Sequence, residues 1–353
     1  MQQSAGAAGL NVRLQVLPDG ARVVTRGAEG VAVAHVGAHT STGRRASNED
    51  RHAFAEPLTS LAAGSAAGAR WLAHATFVGV YDGHGGAQCS QFLKEELGGA
   101  LVEELLRGGG ATALPASPDA EAGPTAAELR AALERAFLRI DAAFLKMAEG
   151  SSCRAGTTAV VAVVTHSALA VAHVGDSRAL AVYSDRSSEF LTTDHKPNNP
   201  AEFARIEAAG GEVVKRGPVW RVSTKGASSW QSRCRAGRVA FTEQPPVLLA
   251  VSRAFGNKDL KRPLEIVTAR PEVRLWAMGG EDDAPTAAVV LCSDGVWDVL
   301  SASDVAGHVF KALDKAGERC VSAARDAAAG VCAAAESRGS MDNVTAAVCL
   351  LGV

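Results

Sequence analysis

Asp82, Asp176 and Asp294 each stand at the end of a short apolar run rich in β-formers, and Asp342 opens another. The runs are Phe77-Val78-Gly79-Val80-Tyr81 before Asp82, Val171-Ala172-His173-Val174-Gly175 before Asp176, Val289-Val290-Leu291-Cys292-Ser293 before Asp294, and residues 344–351 after Asp342-Asn343. Glu49-Asp50 is a further acidic pair early in the chain. Strand ends deliver side chains to one rim of a sheet, so segments distant in sequence can converge there. Carboxylates gathered at a rim repel one another unless a cation neutralises them. Oxygen ligands without a Cys/His cluster at zinc spacing favour Mg2+ or Mn2+ over Zn2+. More than two carboxylates favour two or more ions. A bridging carboxylate such as Asp82 suits a pair about 3.5–4 Å apart that shares a hydroxide, an arrangement suited to phosphate-ester hydrolysis.

That reaction needs two more groups. A fixed cation should grip the phosphate, and arginine does so with a planar fork of donors. Arg45, four residues before Glu49, is best placed, with Arg44 next. The alkoxide of a serine or threonine leaves poorly without a proton. His84, two residues from Asp82, is positioned to supply one, an effect worth roughly 10²–10⁴ in rate. Singly, each residue has a plainer explanation. Asp-Gly and Asp-Ser start turns, Arg45 stands beside Arg44 as an ordinary surface charge would, and a histidine is more often a metal ligand or a satisfied polar group. The combination carries the argument.

The elements that must position these residues are legible in part. Short β-type runs over residues 12–17, 21–25 and 31–36 alternate with Pro18-Asp19-Gly20 and a turn at 27–30. Residues 62–70 form an Ala/Gly/Ser loop insertion. Residues 87–106 carry Phe92, Leu93, Leu97, Leu101 and Leu105 at helical spacing. Residues 107–124, rich in Gly, Pro, Ala and Ser, predict a loop between two helices. Thr125 with Glu128 predicts a capping box for a helix whose apolar face is Leu129, Leu133, Phe137, Ile140 and Phe144, and which Gly150 stops. Residues 158–193 are β-rich, with a turn at His166-Ser167. Asn199, Pro200 and Gly210 bracket a short helix. Residues 211–247 are basic and aperiodic and predict a surface excursion. A strand at 287–292, a helix opened by Ser301 and Asp304, an Ala-rich helix over 319–336 and a strand at 344–351 follow. Hairpins interleaved with paired helices, rather than βαβ alternation, predict an α+β fold with antiparallel sheets. The expected organisation is a flexible N-terminus at 1–10 and a single domain over 11–353.

Composition removes several function classes. The 353 residues carry a formal charge of −2, and only 5% are aromatic, so neither nucleic acid nor an anionic membrane is an expected partner. The seven cysteines are odd in number and contain no C-x-x-C pair, which fits a reducing compartment rather than a disulfide framework or a zinc ribbon. The N-terminal residues lack a basic segment followed by an apolar stretch, so no signal peptide is expected. A soluble protein of the cytoplasm or nucleus is expected. Cys234 is followed six positions on by Ala240 rather than arginine, so it does not open a cysteine-phosphatase loop. A D-x-D nucleophile pair and a G-K-[ST] loop are likewise missing from the sequence.

Arg45-x-x-x-Glu49-Asp50, Val80-Tyr81-Asp82-Gly83-His84-Gly85-Gly86, Gly156-Thr157-Thr158-Ala159, Val174-Gly175-Asp176-Ser177-Arg178, Leu249-Ala250-Val251-Ser252-Arg253-Ala254-Phe255-Gly256, Cys292-Ser293-Asp294-Gly295-Val296-Trp297-Asp298-Val299 and Asp342-Asn343-Val344-Thr345 together resemble the metal-dependent protein phosphatases of the PP2C type. Any one motif is weak; the set in family order, from about residue 31 to 353, is specific. The resemblance implies a four-layer α-β-β-α sandwich of two antiparallel sheets flanked by helix pairs, with a two-metal site at one edge. It implies that Asp82 bridges the metals and Gly83 offers its carbonyl. Asp294 and Asp342 would bind the first metal, Glu49 would act on the second, and Asp50 would hold metal-bound water. Asp176 and Asp298 match positions linked to a third, weaker Mg2+ or Mn2+. Arg45 would grip phosphate and His84 would be the general acid.

The implied substrate is phosphoserine or phosphothreonine in proteins, acted on by a monomer without a separate regulatory subunit. Residues 211–247 match the family's variable flap. The alternative is an inactive pseudophosphatase that binds a phosphoprotein or a kinase, against which stands the retention of Asp82, Asp294 and Asp342. One departure is visible: Asn257 stands where the family often has Asp, and little effect is expected from it.

Overall fold

The computed structural model describes residues 15–16, 22–25, 34–61, 70–107, 121–165, 168–236, 245–277 and 286–351. Two antiparallel sheets dominate. In the first, the strand order is Gln15–Val16, Glu272–Ala277, Ala168–Val174, Ala159–Val164, Thr76–Tyr81, Arg51–Ala55. In the second it is Ser188–Phe190, Arg178–Tyr183, Thr286–Cys292, Val344–Leu351, Ala34–Ser41. The helices are α1 (Gln88–Arg107), α2 (Ala126–Met147), α3 (Pro200–Ala208), α4 (Ala227–Arg235), the short α5 (Asp294–Trp297), α6 (Ala302–Ala316) and α7 (Val321–Ser337).

The core falls into layers that define the sandwich. Leu93, Leu97 and Leu101 of α1 meet Leu129, Leu133 and Phe137 of α2 over Phe77, Val161 and Val163 of the first sheet. Val78, Val80, Val160 and Ala162 point the other way, onto Ala179, Ala181, Val289 and Leu291 of the second sheet. Beyond it, Val290 and Val348 pack on Val305 and Val309 of α6 and Ala324, Ala328 and Val331 of α7. The central strands therefore have no solvent face. That is why Ala159–Val164 reads Ala-Val-Val-Ala-Val-Val, without polar alternation. The Ala-rich face of α7 has a similar cause. Gly37 lies so close to it that a Cβ there would come within 2.2 Å of the Arg325 nitrogen. Large side chains do not fit at that approach.

Several sequence expectations hold. The Thr125–Glu128 and Ser301–Asp304 capping boxes are both formed. Asn199 caps α3 with Pro200 at its first turn. Other expectations are corrected. Residues 121–124 are not loop: Glu121–Thr125 is a strand paired with Arg22–Thr25. Residues 211–224 are not aperiodic but form the hairpin Gly211–Arg216/Val219–Thr224, whose buried Val222 joins Ile206, Val251 and Ile266 in a small core. The strand expected to end at residue 36 runs on to Ser41 as Ala34–Ser41. The expected N-terminal segment 1–10, the turns at 18–20, 27–30 and 166–167, and residues 62–69 and 108–120 lie outside the described residues. Among the described residues no helix is long and apolar enough to cross a membrane.

Candidate metal centre

The two sheets end together at one rim, and the acidic residues meet there. Asp82 follows Thr76–Tyr81, Asp176 follows Ala168–Val174, and Asp294 opens α5 directly after Thr286–Cys292. Carboxylate oxygens of these three lie within 4.8 Å of one another. Asp342, just before Val344–Leu351, belongs to the same electrostatic neighbourhood but outside that closest trio, and its Oδ2 lies 2.5 Å from an Arg45 nitrogen.

Mutual repulsion and burial leave a signature. Burial first, then the charges of Asp294, Asp50, Asp176 and Asp342, push the Asp82 carboxyl well above the usual carboxylate range. Asp294 is pushed up to about 7 by burial and by Asp176, Asp298 and Asp342. Asp50 rises to about 6 through burial, although hydrogen bonds from Thr345 and Ser293 favour its charged form. Burial likewise raises Asp298, with Lys196 pulling it down and Asp176 pushing it up.

Several ligand candidates are braced by hydrogen bonds from the backbone or from neighbouring side chains. The Asp82 carbonyl accepts from the Thr158 nitrogen and the Thr157 hydroxyl, each at 2.9 Å. Ser293 Oγ and Thr345 Oγ1 both donate to Asp50 Oδ2 at 2.8 Å. The Glu49 side chain accepts from the Gly86 nitrogen at 3.1 Å, while its backbone nitrogen donates to Asn343 Oδ1 at 2.8 Å. Position 83 has no room for a side chain, since a Cβ would come within 2.3 Å of the Glu49 carbonyl oxygen. Asn343 Nδ2 donates to the Thr42 and Ser47 carbonyls at 2.9 Å and ties the loop carrying Arg45 to the segment carrying Asp342.

A divalent cation fits this donor set. The trio is all oxygen, and Asp176 Oδ1 is buried without a hydrogen-bond partner. Lys196, which sequence reasoning missed, pairs with the other oxygen of Asp176. Its signal was the Asp194-His195-Lys196-Pro197 run between strand and helix, where Asp194 also takes both forks of Arg178 at 2.7 and 2.8 Å.

A second cluster, His173, His195 and Glu272, also gathers ligand atoms within 4.8 Å. It is not built to hold an ion. The two imidazoles stack with centroids 4.5 Å apart and planes 15° from parallel, so their in-plane lone pairs do not converge.

His84 belongs to a separate miniature sheet. Gly83–His84 pairs with Gly156–Thr157, which pairs in turn with Phe255–Gly256. His84 Nε2 lies 3.0 Å from Asn257 Oδ1.

Comparison with known proteins gives the family and the fold. The family model described as Protein phosphatase 2C matches residues 34–344. The chain is 34% identical over 322 residues to "Probable protein phosphatase 2C 68" of Oryza sativa subsp. japonica, covering 88% of this chain and 76% of that protein. It is 36% identical over 294 residues to "Probable protein phosphatase 1N" of Mus musculus, covering 82% of this chain but 59% of that longer protein. Among solved structures it resembles the serine-threonine phosphatase 2C from Toxoplasma gondii, with a TM-score of 0.69 and 27% identity over 96% of this chain and all of that one.

Proposed function

The chain belongs to the protein phosphatase 2C family, and from that premise we propose that it is a metal-dependent phosphatase acting on phosphoserine and phosphothreonine in proteins. The observation that carries the proposal is the convergence of Asp82, Asp176 and Asp294 within 4.8 Å at the rim, with one buried oxygen of Asp176 left unpartnered. Asp82, the Gly83 carbonyl, Asp294, Asp342, Glu49 and Asp50 would hold two Mg2+ or Mn2+ ions, and Asp176 with Asp298 would hold a looser third. When bound, such ions polarise a phosphoryl oxygen and make water a competent nucleophile at neutral pH.

The remaining work belongs to the chain's own side chains. Arg45, more than half exposed, can turn its guanidinium from Asp342 to the substrate phosphate and bind two of its oxygens. Asp50, held by Ser293 and Thr345, is placed to orient water at the rim. Hydrolysis breaks the bond from phosphorus to the serine or threonine oxygen and forms one to a water oxygen. His84 gives its proton to the departing alkoxide, and the attacking water loses one to solvent. The products are the free hydroxyl side chain and inorganic phosphate.

The test is direct. Purified full-length chain should release phosphate from a phosphothreonine peptide with Mn2+ or Mg2+, stop on addition of EDTA, and recover when metal is restored. Absence of turnover across several metals and peptides would favour a binding-only pseudophosphatase instead.

A further inference from the structure

Asn257 sits in a left-handed conformation, φ 54°, and is 7% exposed. Asn and Asp tolerate that conformation better than other residues with a Cβ. Its backbone is held on both sides. The Asn257 nitrogen donates to the Ala155 carbonyl at 3.1 Å, and its carbonyl accepts from Leu260 at 2.8 Å. Just before it, the Gly256 nitrogen donates to Asp141 Oδ1 at 2.8 Å, and Asp141 is locked by the buried Lys261 at 2.6 Å. Between the strand bearing His84 and the strand Phe255–Gly256 that leads into Asn257 lies Gly156, where a Cβ would come within 2.2 Å of Asn257 Oδ1. A side chain at that position would displace the amide. Three separate segments therefore converge to put one side-chain oxygen against one ring nitrogen.

We propose that Asn257 is a positioning residue for His84, a role that rests on the general-acid assignment above. The Asn257 oxygen accepts the Nε2–H of His84 at 3.0 Å, which sets the ring plane and the tautomer. Nδ1 is then the nitrogen available to the leaving-group oxygen. For the step itself Nδ1 must first take up a proton from solvent; the imidazolium keeps its Nε2–H on Asn257, gives the Nδ1 proton to the alkoxide, and the ring returns to neutral. The neutral amide performs this without adding another negative charge beside the carboxylate cluster. The departure from the family's usual Asp thus falls on a residue with a contact in the site, and because either side chain offers the acceptor oxygen, little effect is still expected from the exchange itself.

Two variants separate positioning from folding. Asn257→Gly removes the amide and keeps the left-handed backbone at no steric cost. Asn257→Asp keeps an acceptor at the same place. For Asn257→Gly we expect kcat on a phosphothreonine peptide to fall about 10- to 100-fold, within the range of general-acid effects. KM should stay nearly constant, and loss on an aryl phosphate, whose phenolate leaves unaided, should be no more than about 3-fold. Asn257→Asp should recover most of the peptide activity. Combined with His84→Ala, Asn257→Gly should add no further loss, as expected for residues acting as one unit. A readout without turnover is long-range proton–nitrogen NMR of histidine-labelled, metal-free full-length chain. His84, assigned by its absence in His84→Ala, should be the Nε2–H tautomer in the native chain and mixed in Asn257→Gly. Equal losses on both substrates for Asn257→Gly, or an unchanged tautomer, would overturn the proposal while a selective His84→Ala effect left the general-acid role standing. Equal losses for His84→Ala itself would remove that role and this proposal with it.

Discussion

Arg45 and Asp342 form an ion pair at 2.5 Å across the mouth of the acidic rim, joining a residue assigned to phosphate with one assigned to metal. The Arg45 side chain is 57% exposed and that of Asp342 is 34% exposed, so the pair lies in water-screened surroundings and adds little stability. Its consequence is placement. Arg45 Nε also donates to the Met341 carbonyl at 3.3 Å, which holds the guanidinium over the entrance instead of leaving it free in solvent.

Arg45→Ala should therefore act on substrate binding. Loss of a charge-assisted, two-pronged contact to phosphate corresponds to roughly 10- to 100-fold in kcat/KM. Steady-state kinetics on a phosphopeptide should show most of that loss in KM, with melting temperature nearly unchanged. Arg45→Lys should recover only part of it, because an ammonium cannot match the planar fork. An unaltered KM would take Arg45 out of the phosphate site.

Asp82→Asn should separate stability from activity. Removing one of three carboxylates that lie within 4.8 Å relieves repulsion, so the metal-free variant should melt at a higher temperature than the metal-free native chain. The same change removes the charge assigned to both ions, so kcat should fall by orders of magnitude and calorimetric Mn2+ affinity should weaken. Near-normal turnover with unchanged metal affinity would remove Asp82 from the centre.

What the sequence disclosed follows from the range of the interactions concerned. The capping boxes at Thr125 and Ser301 are local, so three-residue spacing was enough to see them. The strand ends at Asp82, Asp176 and Asp294 were legible because sandwiched strands are continuous apolar runs with abrupt polar limits. Hidden instead were contacts whose partners lie far apart in the chain. Asp50 is held by Ser293 and Thr345, and His84 meets Asn257; neither pairing has a periodicity to betray it. The strand Glu121–Thr125 was missed because Ala, Gly and Pro in Glu-Ala-Gly-Pro-Thr resemble a loop, and only pairing with Arg22–Thr25 makes it extended structure.

Lys261 and Asp141 supply a test of the scaffold beneath Asn257. The Lys261 side chain is 2% exposed and that of Asp141 is 10% exposed, and Lys261 Nζ also donates to the Ala254 carbonyl at 2.8 Å. Breaking a buried pair by deleting one partner leaves an uncompensated charge, at a cost of about 3–5 kcal/mol. Lys261→Met should show that loss in urea unfolding. Asp141→Asn with Lys261→Met should recover part of it, because no buried charge then remains. If Lys261→Met alone is neutral, the pair does not brace this loop.

The stacked imidazoles behind the rim should make the fold sensitive to mild acid. Burial, and then the neighbouring His195, hold the His173 imidazole down to about 4, against the pulls of the Thr193 carbonyl and Glu272; Arg253 adds to the depression. Burial lowers His195 as well, opposed by Glu272. Between roughly pH 6.5 and 4 the unfolded chain therefore binds protons that the folded chain refuses. Stability from His173 is complete above its unfolded value and is lost as pH falls toward 4, by roughly 3 kcal/mol at most. In metal-free protein Asp50 and Asp294, raised to about 6 and 7, contribute with the opposite sign, since their stability is lost as pH rises. The comparison must therefore be made against a variant that leaves them unchanged. His173→Gln keeps a donor for the Thr193 carbonyl, which His173 Nε2 now meets at 2.8 Å, and removes the titration. Urea unfolding of both chains in EDTA from pH 7.5 to 4.5 should show their difference shifting in favour of His173→Gln as the solution is acidified. A difference constant across that range would mean that His173 is not held neutral by its surroundings.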